Sequence, residues 1–197
     1  MSAPSSPSRL GPSAVGPLSE LLASCFHQDA LTRWMIPDDR RRAELLPGFF
    51  RVFVELSAAH EGVLTAGDGE AVLLFLPAGA VVDEEALDGA LSAALGGYAE
   101  AMRTIASLQA QGHPAGRPHY YVSFGAVRPG RQKGGLMSAL LERMLRRADA
   151  EGVGAYVEAS SPGGEAASRR VGFERLGPDL VLPGDGPVLR PMWRDPR

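Results

Sequence analysis

The chain has 197 residues, of which 45% are hydrophobic and 22% charged, with a formal net charge of −3. That length and apolar content suffice for one globular domain with a proper core, and the charge balance excludes a global pull toward nucleic acid. One cysteine, Cys25, excludes an internal disulfide and fits a reducing cytoplasm, and no run of about 18 apolar residues is present to span a membrane.

The opening MSAPSSPSRLGPSAVGP lacks the apolar segment of a secretory signal. Its Ser, Pro and Gly content predicts a disordered tail over residues 1–17, leaving 18–197 as a single domain. Leu18, Leu21, Leu22, Cys25, Phe26 and Ala30 recur at helical spacing as far as about Trp34. Cys25 lies in that apolar stretch and reads as a packing residue rather than a nucleophile. Ile36-Pro37-Asp38-Asp39 breaks the pattern. Asp38 or Asp39 then caps a second helix running from Arg40 to about His60, with a kink or restart expected at Pro47. Val63–Ala66, the turn Gly67-Asp68-Gly69 and Ala71–Leu76 read as a β-hairpin. Asp83 to about Gln111 is helical, interrupted at Gly96-Gly97.

Residues 119–152 change character three times. An aromatic and β-branched run, HYYVSFGAV, reads as a strand. A basic glycine turn, RPGRQKGGLM, follows it. Leu136, Leu140, Leu141, Met144, Leu145 and Ala148 then form one helix stripe, stopped near Gly152. A helix start carries unpaired N–H groups and partial positive charge, and Gly134 and Gly135 let a ligand approach the backbone. With Arg128, Arg131 and Lys133 nearby, the turn reads either as a phosphate seat or as a plain connection with solvated arginines. Gly154–Ala159 is a further strand, a short helix runs from about Glu165 to Val171, and Phe173–Leu176, Leu180–Leu182 and Val188–Trp193 complete a terminal antiparallel arrangement. These elements predict a mixed α/β sheet.

Val127-Arg128-Pro129, Gln132-Lys133-Gly134-Gly135-Leu136 and Ser138-Ala139-Leu140-Leu141 resemble the acyl-CoA signature of the GNAT superfamily of N-acetyltransferases. That signature is V-x-P followed by Q/R-x-x-G-x-G/A at a helix start. The stretch from His119 to Arg194 further resembles the branch containing puromycin N-acetyltransferase, through HYYVSFGAV, RADAEGV, AYVEASSP, RRVGF and Met192-Trp193. The resemblance implies a GNAT fold, with a mixed central sheet splayed at the pantetheine site and flanked by helices. The donor it implies is acetyl-CoA or another acyl-CoA, with no metal.

By the same resemblance, Gly125, Ala126 and Val127 pair with the pantetheine amides, and Gly125 or its neighbour holds the oxyanion. Gln132, Lys133, Gly134, Gly135, Leu136, Met137 and Ser138 bind the rest of the donor. Gly125 also suits a bulge. Phe26, Asp29, Arg33, Trp34, Phe50 and Phe53 become acceptor contacts, with core packing or a solvated charge as the alternative for each; Tyr121 and Ser123 join them, Tyr121 shaping the pocket. His119 is a secondary candidate. Glu158 matches the Glu of the family's L-E-T-S segment, and it either deprotonates the amine, directly or through water, or only binds it.

Two features depart from the family pattern. Ser168 stands where the family's tyrosine acid protonates the leaving thiolate, with Gly164 where an asparagine is common. Met137 replaces the final small residue of the signature, and Lys133 stands where a Gly is frequent. The leading expectation is a small-molecule N-acyltransferase for a primary amine of an antibiotic, toxin or biosynthetic intermediate. The alternatives are a GNAT-fold enzyme fed by a phosphopantetheinyl acyl carrier protein in natural-product biosynthesis, and a non-catalytic GNAT-fold binding protein. Neither nucleic acid nor membrane is an expected partner, and the chain is read as a cytoplasmic monomer or homodimer.

Overall fold

The computed structural model describes residues 11–197. The first helix, α1, spans Pro12–Phe26, so it covers six positions where composition predicts a tail. Pro12 sits in the first turn, where a missing N–H costs nothing, and Val15 already packs against the core; residues 1–10 of the expected tail lie outside the described residues. The predicted helix to Trp34 is two helices. Asp29 ends the connection by capping α2 (Ala30–Met35), its Oδ1 accepting from Leu31 N–H at 2.9 Å.

Helix α3 (Asp39–Ala59) is capped by Asp38, which accepts from Arg41 N–H at 2.8 Å. It does not restart at Pro47, because Leu46, Phe49 and Phe50 are buried on either side of the proline and tertiary packing holds the helix through it. Arg42, 3% exposed, ties the beginnings together: its Nε donates to His27 O at 2.7 Å and its Nη1 to Ile36 O at 2.8 Å.

The hairpin β1 (Val63–Ala66) and β2 (Ala71–Leu76) forms as expected, with positive φ at Gly67, Asp68 and Gly69. The helical insert is α4 (Glu84–Leu95), a 3₁₀ turn at Gly96–Tyr98, and α5 (Ala99–Gly112). Then follow β3 (His119–Val127), α6 (Leu136–Ala150), β4 (Gly154–Ala159) and α7 (Pro162–Arg170). The chain closes with β5 (Glu174–Arg175), β6 (Leu180–Val181) and β7 (Val188–Arg194). The sheet order is β1-β2-β3-β4-β7-β5, with β6 also pairing β7; β3 and β4 are parallel and the remaining pairs antiparallel. Helices α1 to α5 contribute to the apolar cluster on one face and α6 to that on the other.

Two irregularities in β3 place the site. Pairing with β4 runs only from His119↔Gly154 to Val122↔Val157, while β4 continues along β7 through Ala159 and β3 continues along β2 to Val127. The two central strands therefore part after Val122 and Val157. The second irregularity is a bulge. Leu74 faces Phe124 and Phe75 faces Val122, so Ser123 is the extra residue. The bulge is thus at Ser123, two positions before the glycine expected to carry it. Its effect is to reverse the alternation of faces. Tyr120 and Val122 lie on the α6 side, yet Phe124 and Ala126 lie on the five-helix side and Val127 returns to the α6 side.

Candidate active site

The parting strands open onto a cavity of about 320 Å³. Its walls come from α2 (Leu31, Thr32, Met35), α3 (Phe49, Phe53), the insert (Leu87, Leu91, Met102, Ile105, Gln109) and the split itself. Phe124, brought to this side by the bulge, is the centre of an aromatic group, with ring centroids 4.9 Å from Phe53, 5.1 Å from Phe50 and 5.6 Å from Phe26. Phe26 and Phe53 reach the cavity; Phe50 is fully buried behind them and is a core residue.

Glu158 lies in the cavity wall, on the strand that leaves β3. Its Oε2 accepts from Tyr121 Oη at 2.8 Å and from Gln109 Nε2 at 3.0 Å, and its Oε1 is buried with no partner among the described residues. Burial pushes the carboxyl above the ordinary glutamate value, against the lowering pull of Tyr121, Tyr156 and Gln109. The arrangement yields a carboxylate made more basic by desolvation, with an unfilled acceptor oxygen. Burial, and then the Glu158 charge, pushes Tyr121 well above the ordinary tyrosine value, so this phenol stays protonated as a donor. Burial likewise raises Tyr156, whose hydroxyl donates to Gly112 O at 3.3 Å.

Two of these partners escape the sequence reading. Gln109 is one helical turn beyond Ile105, a polar residue on the apolar stripe of α5. Tyr156 is two positions before Glu158 and so shares its strand face. Both signals are spacings that point to a polar group on a buried face.

On the donor side, Gly125 and Met137 meet. A Cβ added at Gly125 would lie 3.0 Å from Met137 Cε and 3.1 Å from its Sδ, so the thioether occupies the space that this glycine leaves. Both residues line the cavity, as does Ser168, which is 5% exposed. Val127 O accepts from Cys25 Sγ at 3.5 Å, and burial raises that thiol above its ordinary value while Arg128 pulls it down. Cys25 is half-buried and packs against the core, as expected.

The glycine turn is exposed from Arg128 through Gly135. Lys133 (φ 66°) and Gly135 (φ 80°) are both left-handed, and Gly135 N-caps α6 without a side-chain hydrogen bond, so the first-turn N–H groups receive no side-chain cap. Arg131 Nε pairs with Glu70 Oε2 at 2.8 Å. Leu136 and Ser138 are half-buried in the first turn of α6, and Ala126 is buried on the five-helix side.

Of the remaining candidates, Arg33, Trp34, Asp29 and His119 lie apart from the cavity and Ser123 does not. Arg33 is exposed, and Trp34 Nε1 donates to Pro183 O at 3.2 Å, where the indole packs by the β6–β7 turn. Asp29 is engaged by the α2 cap and by Ser160 Oγ, which donates to its Oδ2 at 3.2 Å; burial raises its carboxyl. Ser123 lines the cavity as the bulged residue. His119 stands at the far end of β3, its Nε2 3.0 Å from His113 Nε2.

Comparison with protein-family models and with curated proteins gives no match. Comparison with solved structures gives several. One is a "histone acetyltransferase HPA2 and related acetyltransferase" from Corynebacterium glutamicum, with a TM-score of 0.61 and 22% identity over 96% of this chain and 95% of that one. An agmatine N-acetyltransferase gives a TM-score of 0.65 at 13% identity over 95% and 97% of the two chains. Arylalkylamine N-acetyltransferase 2 of Aedes aegypti gives 0.63 at 12% identity over 96% and 98%. The chain has the GNAT acetyltransferase fold. Among the described residues no helix is long and apolar enough to cross a membrane.

Proposed function

We propose that this protein is an N-acyltransferase that moves an acyl group, in the first instance acetyl, from an acyl-CoA to the primary amine of a small molecule. The observation that carries the reading is the parting of β3 and β4 beside a cavity whose wall holds Glu158. The residues present fit a pantetheine-linked donor. Ser123–Val127 have no β4 partner, so that edge of β3 is open to an extended amide chain. The turn at Lys133–Gly135 and the uncapped start of α6 suit a pyrophosphate. When bound, the donor supplies an activated acyl thioester.

The chain's own residues do the rest. Glu158 accepts a proton from the incoming ammonium, directly or through a water, and its raised basicity serves that task. Tyr121 and Gln109 hold the carboxylate in one orientation. The backbone at Gly125 offers the N–H for developing negative charge. Ser168 lines the cavity at the position of the family's tyrosine acid, and a serine contributes polarity there rather than acidity. The puromycin-like sequence segments support an antibiotic or biosynthetic amine as acceptor.

Incubating the purified protein with acetyl-CoA and a panel of primary amines tests the reading by mass spectrometry. An amine heavier by one acetyl group, lost in Glu158→Gln, is the expected result. No acetylated product with any amine and no CoA binding by calorimetry overturn it.

A carrier-protein donor is the second reading. Met137 against Gly125 and the exchange of the family's asparagine and tyrosine for Gly164 and Ser168 favour it. Efficient turnover with free acetyl-CoA overturns that version.

A further inference from the structure

We propose that the acceptor is a monoamine with an apolar body, and that short diamines are rejected because their second ammonium finds no carboxylate inside the cavity. The proposal rests on the acyl-transfer reading above and goes on to the substrate class.

Among the described residues that line the cavity, Glu158 is the one with a charged side chain; Lys, Arg, Asp and His are absent from the lining. One carboxylate pairs with one ammonium. Its Oε1 is buried without a hydrogen-bond partner among the described residues. Carboxylates in the same region are spent elsewhere. Both oxygens of Asp29 are hydrogen-bonded, to Leu31 N–H and to Ser160 Oγ. On the insert, Asp88 is exposed and held by Arg103 through Nε–Oδ1 at 2.9 Å and Nη2–Oδ2 at 3.0 Å.

The rest of the wall carries no charge: Thr32, Gln109, Tyr121 and four serines supply its neutral polar groups, and the α3–insert side is apolar or aromatic, chiefly Phe53, Phe124, Leu91, Met102 and Ile105. A second ammonium four carbons from the reacting nitrogen would lie against these side chains. A buried cation without a partner is strongly disfavoured, whereas a methyl or phenyl group gains from the same contacts. The volume of about 320 Å³ sits at the small end of ligand cavities, which suits a body of about one aromatic ring.

The test is the wild-type kcat/KM for n-butylamine against 1,4-diaminobutane, which differ by the second amine, with phenethylamine beside them and acetyl-CoA as donor. The expected ratio favours butylamine by at least about 100-fold, with phenethylamine better still. Placing a second carboxylate on the half-buried position in Met102→Glu should raise diaminobutane relative to butylamine by about tenfold or more. The wild-type ratio decides alone if that variant fails to fold by thermal melting. Acetylation of diaminobutane at a rate equal to or above that of butylamine overturns the substrate class and leaves acyl transfer standing. Acetylation of none of the amines overturns both.

Discussion

Glu158 is held by hydrogen bonds that act against the burial that raises its pKa, and this opposition makes its titration adjustable. Activity that needs the carboxylate as base rises as pH passes through its pKa, so the acidic limb of the kcat/KM profile should stand above the ordinary glutamate value. Tyr121→Phe removes a hydrogen bond that stabilises the charged form, so the pKa rises further and the acidic limb moves to higher pH. A profile measured on both proteins checks the direction. Glu158→Gln should lower kcat/KM by about 10²–10⁴-fold at pH 8 while donor binding, followed by calorimetry, stays unchanged. Gly125→Ala forces Met137 to give way. The expected result is a several-fold rise in donor KM, relieved in the double variant with Met137→Ala.

At the scale of elements, the hairpin is joined to α3 through a glycine with no room to spare. A Cβ on Gly62 would fall 1.7 Å from Phe75 O, which is backbone and cannot move aside cheaply. Gly62→Ala should therefore destabilise by about 3 kcal/mol, read as a lowered midpoint in chemical denaturation. Elements were also where the sequence was most readable. Asp38 ahead of a helix, the Gly67-Asp68-Gly69 turn and the Gly96-Gly97 break each carry a local backbone requirement, and each marks a real boundary. Pro47 failed as a marker because its cost is local while the burial of Leu46, Phe49 and Phe50 around it is tertiary. The bulge at Ser123 leaves no such local mark. It is defined by the count of residues on β2, a strand nearly fifty positions away in sequence. Gln109 was hidden for a related reason: its meaning depends on α5 lying over β4, which no helix periodicity states. The family resemblance implies acceptor contacts at Trp34 and Arg33, yet the indole is turned to the β6–β7 turn.

For the molecule as a whole, the last strand is anchored by a paired charge. Arg194 is 6% exposed and grips Asp149 on α6 through Nη1–Oδ1 at 2.7 Å and Nη2–Oδ2 at 2.9 Å. The Arg194 hydrogen bond holds the Asp149 carboxyl below its ordinary value. A carboxyl depressed in the folded state contributes stability above its unfolded pKa, about 3.9, and loses it as pH falls through the lower folded value. Wild type should therefore melt higher than Asp149→Asn at neutral pH, and the gap should close on acidification below about pH 4. Since β7 is the antiparallel partner of β4 along Glu158, loosening this anchor should also blunt activity before the fold is lost.

The extra residue at Ser123 makes one strand serve two masters. Upstream of it the odd-numbered Tyr121 looks toward the acceptor, and downstream the even-numbered Phe124 does, while Gly125 is handed to the opposite layer. Flattening that bulge, with the serine kept and taking a regular place in the ladder, would swap the sides of everything after it. The phenyl ring would swing out of its aromatic cluster toward α6, and the glycine would end up under the five helices. Acceptor and donor would lose their shared seam through a change in parity alone.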